Sequence, residues 1–382
     1  MATSVRLAPL QITYLNLIRG GAAQIVLIGH ASGYCLAGLE QDGHIETFGV
    51  LIFFLLSGFL ITSSAFQKLQ QPEYGYRHFV IERFCRIFSA YVPALLLVAA
   101  VDATVQALPA YAFHASDSPL TWIGNLLMLQ EYPVFQILRR LGVGEQPWFI
   151  ETFGSGRPFW TVAVEWWIYL GFGYLVFRVI RRRRLGLREI AVLSALGIVP
   201  LYNAMAGVGH CLTFVWALGA GVALLRHRLA EFSRLATRTH ARLCWAAVTL
   251  VSLVALFGHV LATGLQVYEL QFAMLTGFVL FSLFFLLGTF RQSAPGIVAW
   301  AFDRLAGYSY SLYLTHYTIL AWFKLCVPSA THWDPALFAT LFATANAVAL
   351  GFWFLFERHY PALTRLAKRV FDWRAPPQPV RA

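Results

Sequence analysis

Eight side chains in this sequence could hold an anion or move a proton, and all lie in or beside apolar stretches: Arg19, His30, Arg83, Arg86, Glu165, Tyr310, Ser311 and His316. An ionisable group inside such a stretch is expensive, so each is a candidate for function. Arg19 and His30 share the run 12–34, eleven residues apart. On a helix that spacing returns to within about 20° of the same direction, with the two groups roughly 16 Å apart along the axis. Glu165 sits in Phe159-Trp160-Thr161-Val162-Ala163-Val164-Glu165-Trp166-Trp167-Ile168-Tyr169, about two turns inside its run and level with His30. A carboxylate there must be protonated, paired or wet. The matched depth predicts a Glu165–His30 pair, in which the carboxylate orients the imidazole and the other ring nitrogen takes a proton. The plainer alternatives are snorkelling for Arg19 and a simple interhelical hydrogen bond for His30.

Arg83 and Arg86 are three residues apart and so share a helix face. Guanidinium pairs suit phosphate oxygens through bidentate hydrogen bonds; lipid headgroup anchoring is the competing reading. The run Tyr308-Ser309-Tyr310-Ser311-Leu312-Tyr313-Leu314-Thr315-His316 is too polar to face lipid. Its Tyr310 and Ser311 could line a channel or donate to a developing oxyanion. Ser57-Gly58 reads first as a point of close helix approach. HExxH, Walker, GxSxG and GxGxxG patterns are lacking. The five cysteines (Cys35, Cys85, Cys211, Cys244, Cys326) show no CxxC pairing. Neither a metal nor a disulfide framework is expected, and the cysteines read as buried hydrophobes.

The elements that must carry these residues follow from composition. Of 382 residues, 58% are hydrophobic and 12% charged, about half the charge of a soluble domain. Mean hydropathy is +0.62. These values exclude an ordinary soluble protein, and the 16% aromatic content excludes a disordered one. The net charge of +11 is therefore read as a membrane rim and not as a nucleic-acid surface. Ten segments are long and apolar enough to span a bilayer: 12–34, 48–66, 87–108, 158–177, 189–206, 209–225, 243–262, 269–290, 305–327 and 336–357. The fold class expected is an all-α polytopic membrane protein of about ten transmembrane helices. Alternating the spans puts 24 of the 29 Lys and Arg on one side and three (Arg139, Arg140, Arg157) on the other, with Arg19 and Lys324 inside spans. The positive-inside rule then makes both termini cytoplasmic. Residues 1–360 form one membrane domain, with a long outer loop at 109–157 and a basic tail at 361–382. The loop could be an interfacial helix, a lid over a site opening outward or a passive surface loop, and its Trp122 and Trp148 could stack on sugar rings or anchor at the interface.

Five motifs occur in order: Arg19-x10-His30, the FFLLSGFLIT run at 53–62, Arg83-x-x-Arg86-Ile87, Trp160-Thr161-x3-Glu165-x3-Tyr169 and YSYSLYLTH at 308–316. Together they resemble the acyltransferase 3 family of integral membrane enzymes over about residues 12–360. The resemblance implies transfer of an acyl group, most often acetyl, from cytoplasmic acyl-CoA to a hydroxyl of an extracytoplasmic carbohydrate or glycolipid, in a bacterial inner or plasma membrane. It implies that Arg19 and His30 are needed for activity, with Arg83, Arg86, Glu165, Tyr310 and His316 at the other motif positions. Acyl-CoA is then the donor, with no metal. The partners are the acceptor and membrane lipids, with room for a separate extracytoplasmic protein or a homo-oligomer. The chain departs from the family in having Ser89, with Pro93 further on, where a proline often follows the second arginine. It also has Glu357-Arg358-His359-Tyr360-Pro361 in place of Glu-x-Pro. The rival reading is a transporter or flippase of lipid-linked sugars, against which stands the lack of an internal repeat.

Overall fold

Backbone polar groups that cross lipid must be satisfied within their own segment, so apolar runs of this length become helices. The computed structural model describes residues 7–35, 45–106, 117–142, 150–183, 185–205, 211–235, 237–326 and 333–372. Among them there is no strand. The helices in chain order are α1 (Pro9–Cys35), α2 (Ile45–Leu69), α3 (Tyr76–Val105), α4 (Pro119–Leu126), α5 (Pro133–Arg140), α6 (Phe159–Tyr174), α7 (Leu187–Met205) and α8 (Leu212–Leu235). They continue with α9 (Arg238–Thr263), α10 (Leu270–Gly288), α11 (Gly296–Gly307), α12 (Ser309–Cys326), α13 (Pro335–Leu355) and α14 (Tyr360–Asp372). The last turn before the 181–184 arginines is a π-helix, Leu175–Ile180, continuous with α6.

Eight helical stretches are long and apolar enough to cross a membrane. The two remaining expected spans are also helical, as α8 and α12. α8 runs on through Arg226, His227 and Arg228, so the segment expected as a loop at 226–242 is mostly helix. α12 is diluted by hydroxyls, yet it is among the most enclosed helices. Ser309, Ser311, Thr315, His316 and Thr318 are all buried. Its polar residues face protein, as expected.

The structure corrects several boundaries. Arg83 and Arg86 lie two to three turns inside α3, because the helix begins at Tyr76 well before its apolar part. The segment 291–304 contains most of α11, and the basic tail begins as helix α14. α14 is tied back to α3: Lys368 joins Lys68 on Glu82, and Arg77 donates to the Phe371 carbonyl. Cys35, Cys85 and Cys211 are buried as expected, whereas Cys244 and Cys326 are exposed. Arg6, Trp148, Arg184, Arg374 and Arg381 lie outside the described residues.

Close packing positions the site. α2 lies on α8 with glycine on both sides: a Cβ at Gly58 would stand 1.9 Å from the Trp216 carbonyl oxygen, and one at Gly219 would stand 2.0 Å from that of Leu55. Small residues let the backbones meet and maximise dispersion contacts where lipid supplies no hydrophobic drive. Leucines and aromatic residues of α2, α3, α6, α8 and α10 fill the larger core. A second cluster of Ala23, Leu27, Ala31, Leu312, Ala345 and Ala349 seats α1 against α12 and α13. The described part of the long loop is pinned to the bundle. Asn125 donates to the Thr121 and Glu151 carbonyls and accepts from the Phe153 amide. Asp102 on α3 takes both the amide and hydroxyl of Ser155, at 2.7 and 2.6 Å.

Candidate active site

On α6, Thr161, Glu165 and Tyr169 recur every four residues and so lie along one face. That face borders a cavity of about 210 Å³ with Arg19 of α1, Ser57 of α2, Arg83 of α3 and Tyr310 and Tyr313 of α12. The Glu165 carboxylate is held by a directed chain. Trp216 Nε1 donates to Ser57 Oγ at 3.0 Å, and Tyr169 donates its hydroxyl proton to Glu165 Oε1. With that proton committed, Ser57 is the donor in its 2.8 Å contact with Tyr169. Arg19 and Arg83 line the same cavity as Glu165.

The three arginines divide into two kinds. Arg86 Nη1 lies 2.6 Å from Glu357 Oε1, and its guanidinium packs over the Tyr360 and Tyr310 rings. Glu357 is fully buried and its other oxygen accepts from the amide and hydroxyl of Ser311, at 3.0 and 2.6 Å. Arg86 is thus half of a satisfied buried ion pair. Arg19 and Arg83 have no hydrogen-bond or ion-pair partner among the described residues, and Arg83 Nε is buried and unsatisfied. Two guanidiniums with no direct ion pair, on a cavity wall they share with Glu165, can take an anion.

The expected Glu165–His30 pair does not form. His30 instead stacks on His316, with Nδ1 3.0 Å from His316 Nε2 and ring centroids 5.1 Å apart. Tyr317 meets the same imidazole edge-on at 5.1 Å. Equal depth on two helices does not make them neighbours: α12 stands beside α1 here, and Glu165 points into the cavity. Tyr313, Phe53 and Thr161 line the cavity, and of these Tyr313 also reaches His316. Tyr313 donates to Thr161 Oγ1 at 2.6 Å, since the Thr161 proton serves the Pro158 carbonyl. The Tyr313 ring packs against Phe53 at 5.6 Å and His316 at 6.0 Å.

The remaining expected site residues fall differently. Tyr310 lines the cavity and its hydroxyl lies 3.4 Å from the Ile87 carbonyl. Ser311 and His316 do not border the cavity: Ser311 holds Glu357, and His316 holds His30. Thr161, Tyr169 and Tyr313 were overlooked as site residues, although their four-residue spacing from Glu165 or their place in the hydroxyl-rich run marked them. Glu357 entered the sequence reading only as the glutamate of an altered Glu-x-Pro, with nothing to say which residue it meets. Among the described residues no group of three or more His, Cys, Asp or Glu is placed to hold a metal.

A model of a protein family described as an acyltransferase domain matches residues 12–357, which takes in every helix named above except the last part of the chain. No curated protein and no solved structure matches this sequence.

Proposed function

We propose that this chain, which belongs to the acyltransferase 3 family and is a multi-pass membrane acyltransferase, moves an acetyl or other short acyl group from acyl-CoA to a hydroxyl of an extracytoplasmic carbohydrate or glycolipid. The observation that carries this reading is the cavity. It has two unpartnered guanidiniums, Arg19 and Arg83, on its wall, and it ends one tyrosine short of the His30–His316 pair. A donor with phosphates at one end and a thioester at the other fits that sequence of features. The phosphates meet the arginines at the charged end, and the narrow pantetheine arm runs past Glu165 and Tyr310 toward His30. On this reading the arginine-rich loops face the cytoplasm of a bacterial inner or plasma membrane.

Chemistry follows from His30. One nitrogen of its ring takes the proton of the acceptor hydroxyl as the oxygen attacks the thioester carbon. The C–S bond then breaks, and the departing sulfur recovers the proton from the imidazolium to leave as the free thiol. Tyr313, between cavity and imidazole, must swing aside for the thioester to reach the acceptor. The test is purified full-length protein in detergent, given labelled acetyl-CoA and an envelope fraction from cells lacking the gene. Label should pass to carbohydrate without a sealed membrane, and His30→Ala should abolish transfer while the protein stays folded. A protein that moved lipid-linked sugars across vesicles but never transferred label would be a carrier, and the assignment would fall.

A further inference from the structure

Four side chains that no step above uses gather beside His30. Tyr317 meets the His30 ring edge-on, with centroids 5.1 Å apart. Its hydroxyl accepts from Arg157 Nη1 at 3.3 Å, and the guanidinium carbon stands 5.8 Å from the centroid of the same ring. Tyr34 packs against Tyr317 at 6.3 Å, and Lys324 Nζ stands 5.3 Å from the Tyr34 centroid. Arg157 and Lys324 are exposed, the two tyrosines are half-buried, and none of the four lines the cavity. The segments that bring them together also carry the cavity wall. His30 lies between Arg19 and Tyr34 on α1, His316 lies between Tyr313 and Lys324 on α12, and Arg157 stands just before α6. The cluster is therefore on the far side of the histidine pair from the cavity.

Guanidinium and ammonium groups bind carboxylate and phosphate oxygens through charge-assisted hydrogen bonds, and the faces of tyrosine rings help to hold cations in place. Neither Arg157 nor Lys324 makes an ion pair with a described residue. The carboxylate charge that reaches Arg157 is that of Glu46, at the start of α2. Asp334, whose charge reaches Cys35, is occupied in accepting from the first amides of α13. With Glu46 counted, the cluster still carries net positive charge. Tyr317 spans the gap from Arg157 to His30, a length comparable with one sugar ring. We propose that Arg157 and Lys324 form a subsite for an anionic group of the acceptor, a carboxylate or phosphate on the acylated sugar or its neighbour. This deepens the reading of the chain as an acyltransferase acting on carbohydrate and rests on it. Charge on the acceptor then fixes which hydroxyl comes to His30, and neutral glycans are poor acceptors.

The probe is the carbohydrate of the envelope fraction in three preparations. One is native, one has its carboxylates amidated with a carbodiimide and methylamine, and one has its phosphate esters removed with cold aqueous hydrofluoric acid. With full-length protein and labelled acetyl-CoA, one of the two treatments should lower kcat/KM for the acceptor about 10-fold or more, the scale of a hydrogen bond to a charged group. The treatment that does so identifies the anion. In Arg157→Gln combined with Lys324→Gln the ratio of native to neutralised acceptor should fall to near unity, and Arg157→Lys should keep part of it. A parent protein that uses all three preparations equally, or a ratio unchanged in the double variant, would overturn the proposal. Binding gives a readout that needs no turnover. Fluorescently tagged native carbohydrate should be held by the parent more tightly than the neutralised form, and the double variant should hold both alike; equal binding by the parent would overturn the subsite. If label reaches none of the preparations, the reading as carbohydrate acylation falls and the binding preference still decides the subsite. If label passes to native and neutralised carbohydrate alike, the subsite falls and the acylation reading stands.

Discussion

At the scale of single residues, Arg83 and Arg86 look alike in sequence and do different work. Arg86 neutralises Glu357, whose side chain is 1% exposed. Removing one partner of such a pair strands a buried charge, at a cost of about 3–5 kcal/mol. Arg86→Ala should therefore lower the thermal midpoint of the purified protein sharply, and Glu357→Gln combined with it should recover part of the loss. Arg83 has no such partner. Arg83→Ala should leave the midpoint near the parent value and raise the acetyl-CoA concentration needed for half-maximal rate, without a comparable drop in the maximal rate. If both variants lose stability equally, the division between structural and ligand-binding arginine is wrong. Sequence spacing correctly put both on one face of α3; it held no information on Glu357, which is 271 residues away along the chain.

At the scale of helices, two contacts govern the site. The first is the glycine crossing of α2 and α8, which holds Ser57 and Trp216 at the end of the chain leading to Glu165. A methyl at Gly58 would collide with backbone and could be relieved only by parting the helices. Overpacking of this kind typically costs about 1–3 kcal/mol and occasionally more. Gly58→Ala should lower the thermal midpoint, and Gly221→Ala, on the partner helix α8 with open space around it, should not. The second is the Tyr313–Thr161 contact between α12 and α6, standing between the cavity and the His30–His316 pair. Tyr313→Ala should open that partition to water and increase acetyl-CoA hydrolysis in the absence of acceptor, measured as free thiol release. Unchanged hydrolysis would mean the partition lies elsewhere. The close approach at Ser57-Gly58 was legible because small residues have a direct steric meaning. The Tyr313 partition was not, because three helices must meet before a tyrosine can divide anything.

At the scale of the whole molecule, the described residues form a helical bundle, and the topology we propose collects its arginine-rich loops on the cytoplasmic side. The exposed cysteines offer a test of orientation. Cys244 lies near the start of α9 and Cys326 ends α12, and the topology we propose puts the first on the cytoplasmic side and the second on the outer side. A membrane-impermeant maleimide applied to intact cells should label Cys326, and Cys244 only once the membrane is permeabilised. The opposite pattern would invert the topology and place the cavity's arginines away from cytoplasmic acyl-CoA.

Composition and charge placement determined the class of protein, because lipid imposes long apolar helices and the arginines collect at one end whatever the packing. Motif order determined the family for the same reason: it is a property of the chain in one dimension. Which polar groups meet was decided only by the tertiary structure. Depth along a helix can be counted from the sequence, but its rotation and its neighbours depend on how all the helices pack. That packing sets His30 against His316 and brings Glu165 into one cavity with Arg19 and Arg83. It is also what makes Arg86 part of the scaffold while leaving Arg83 open to a ligand.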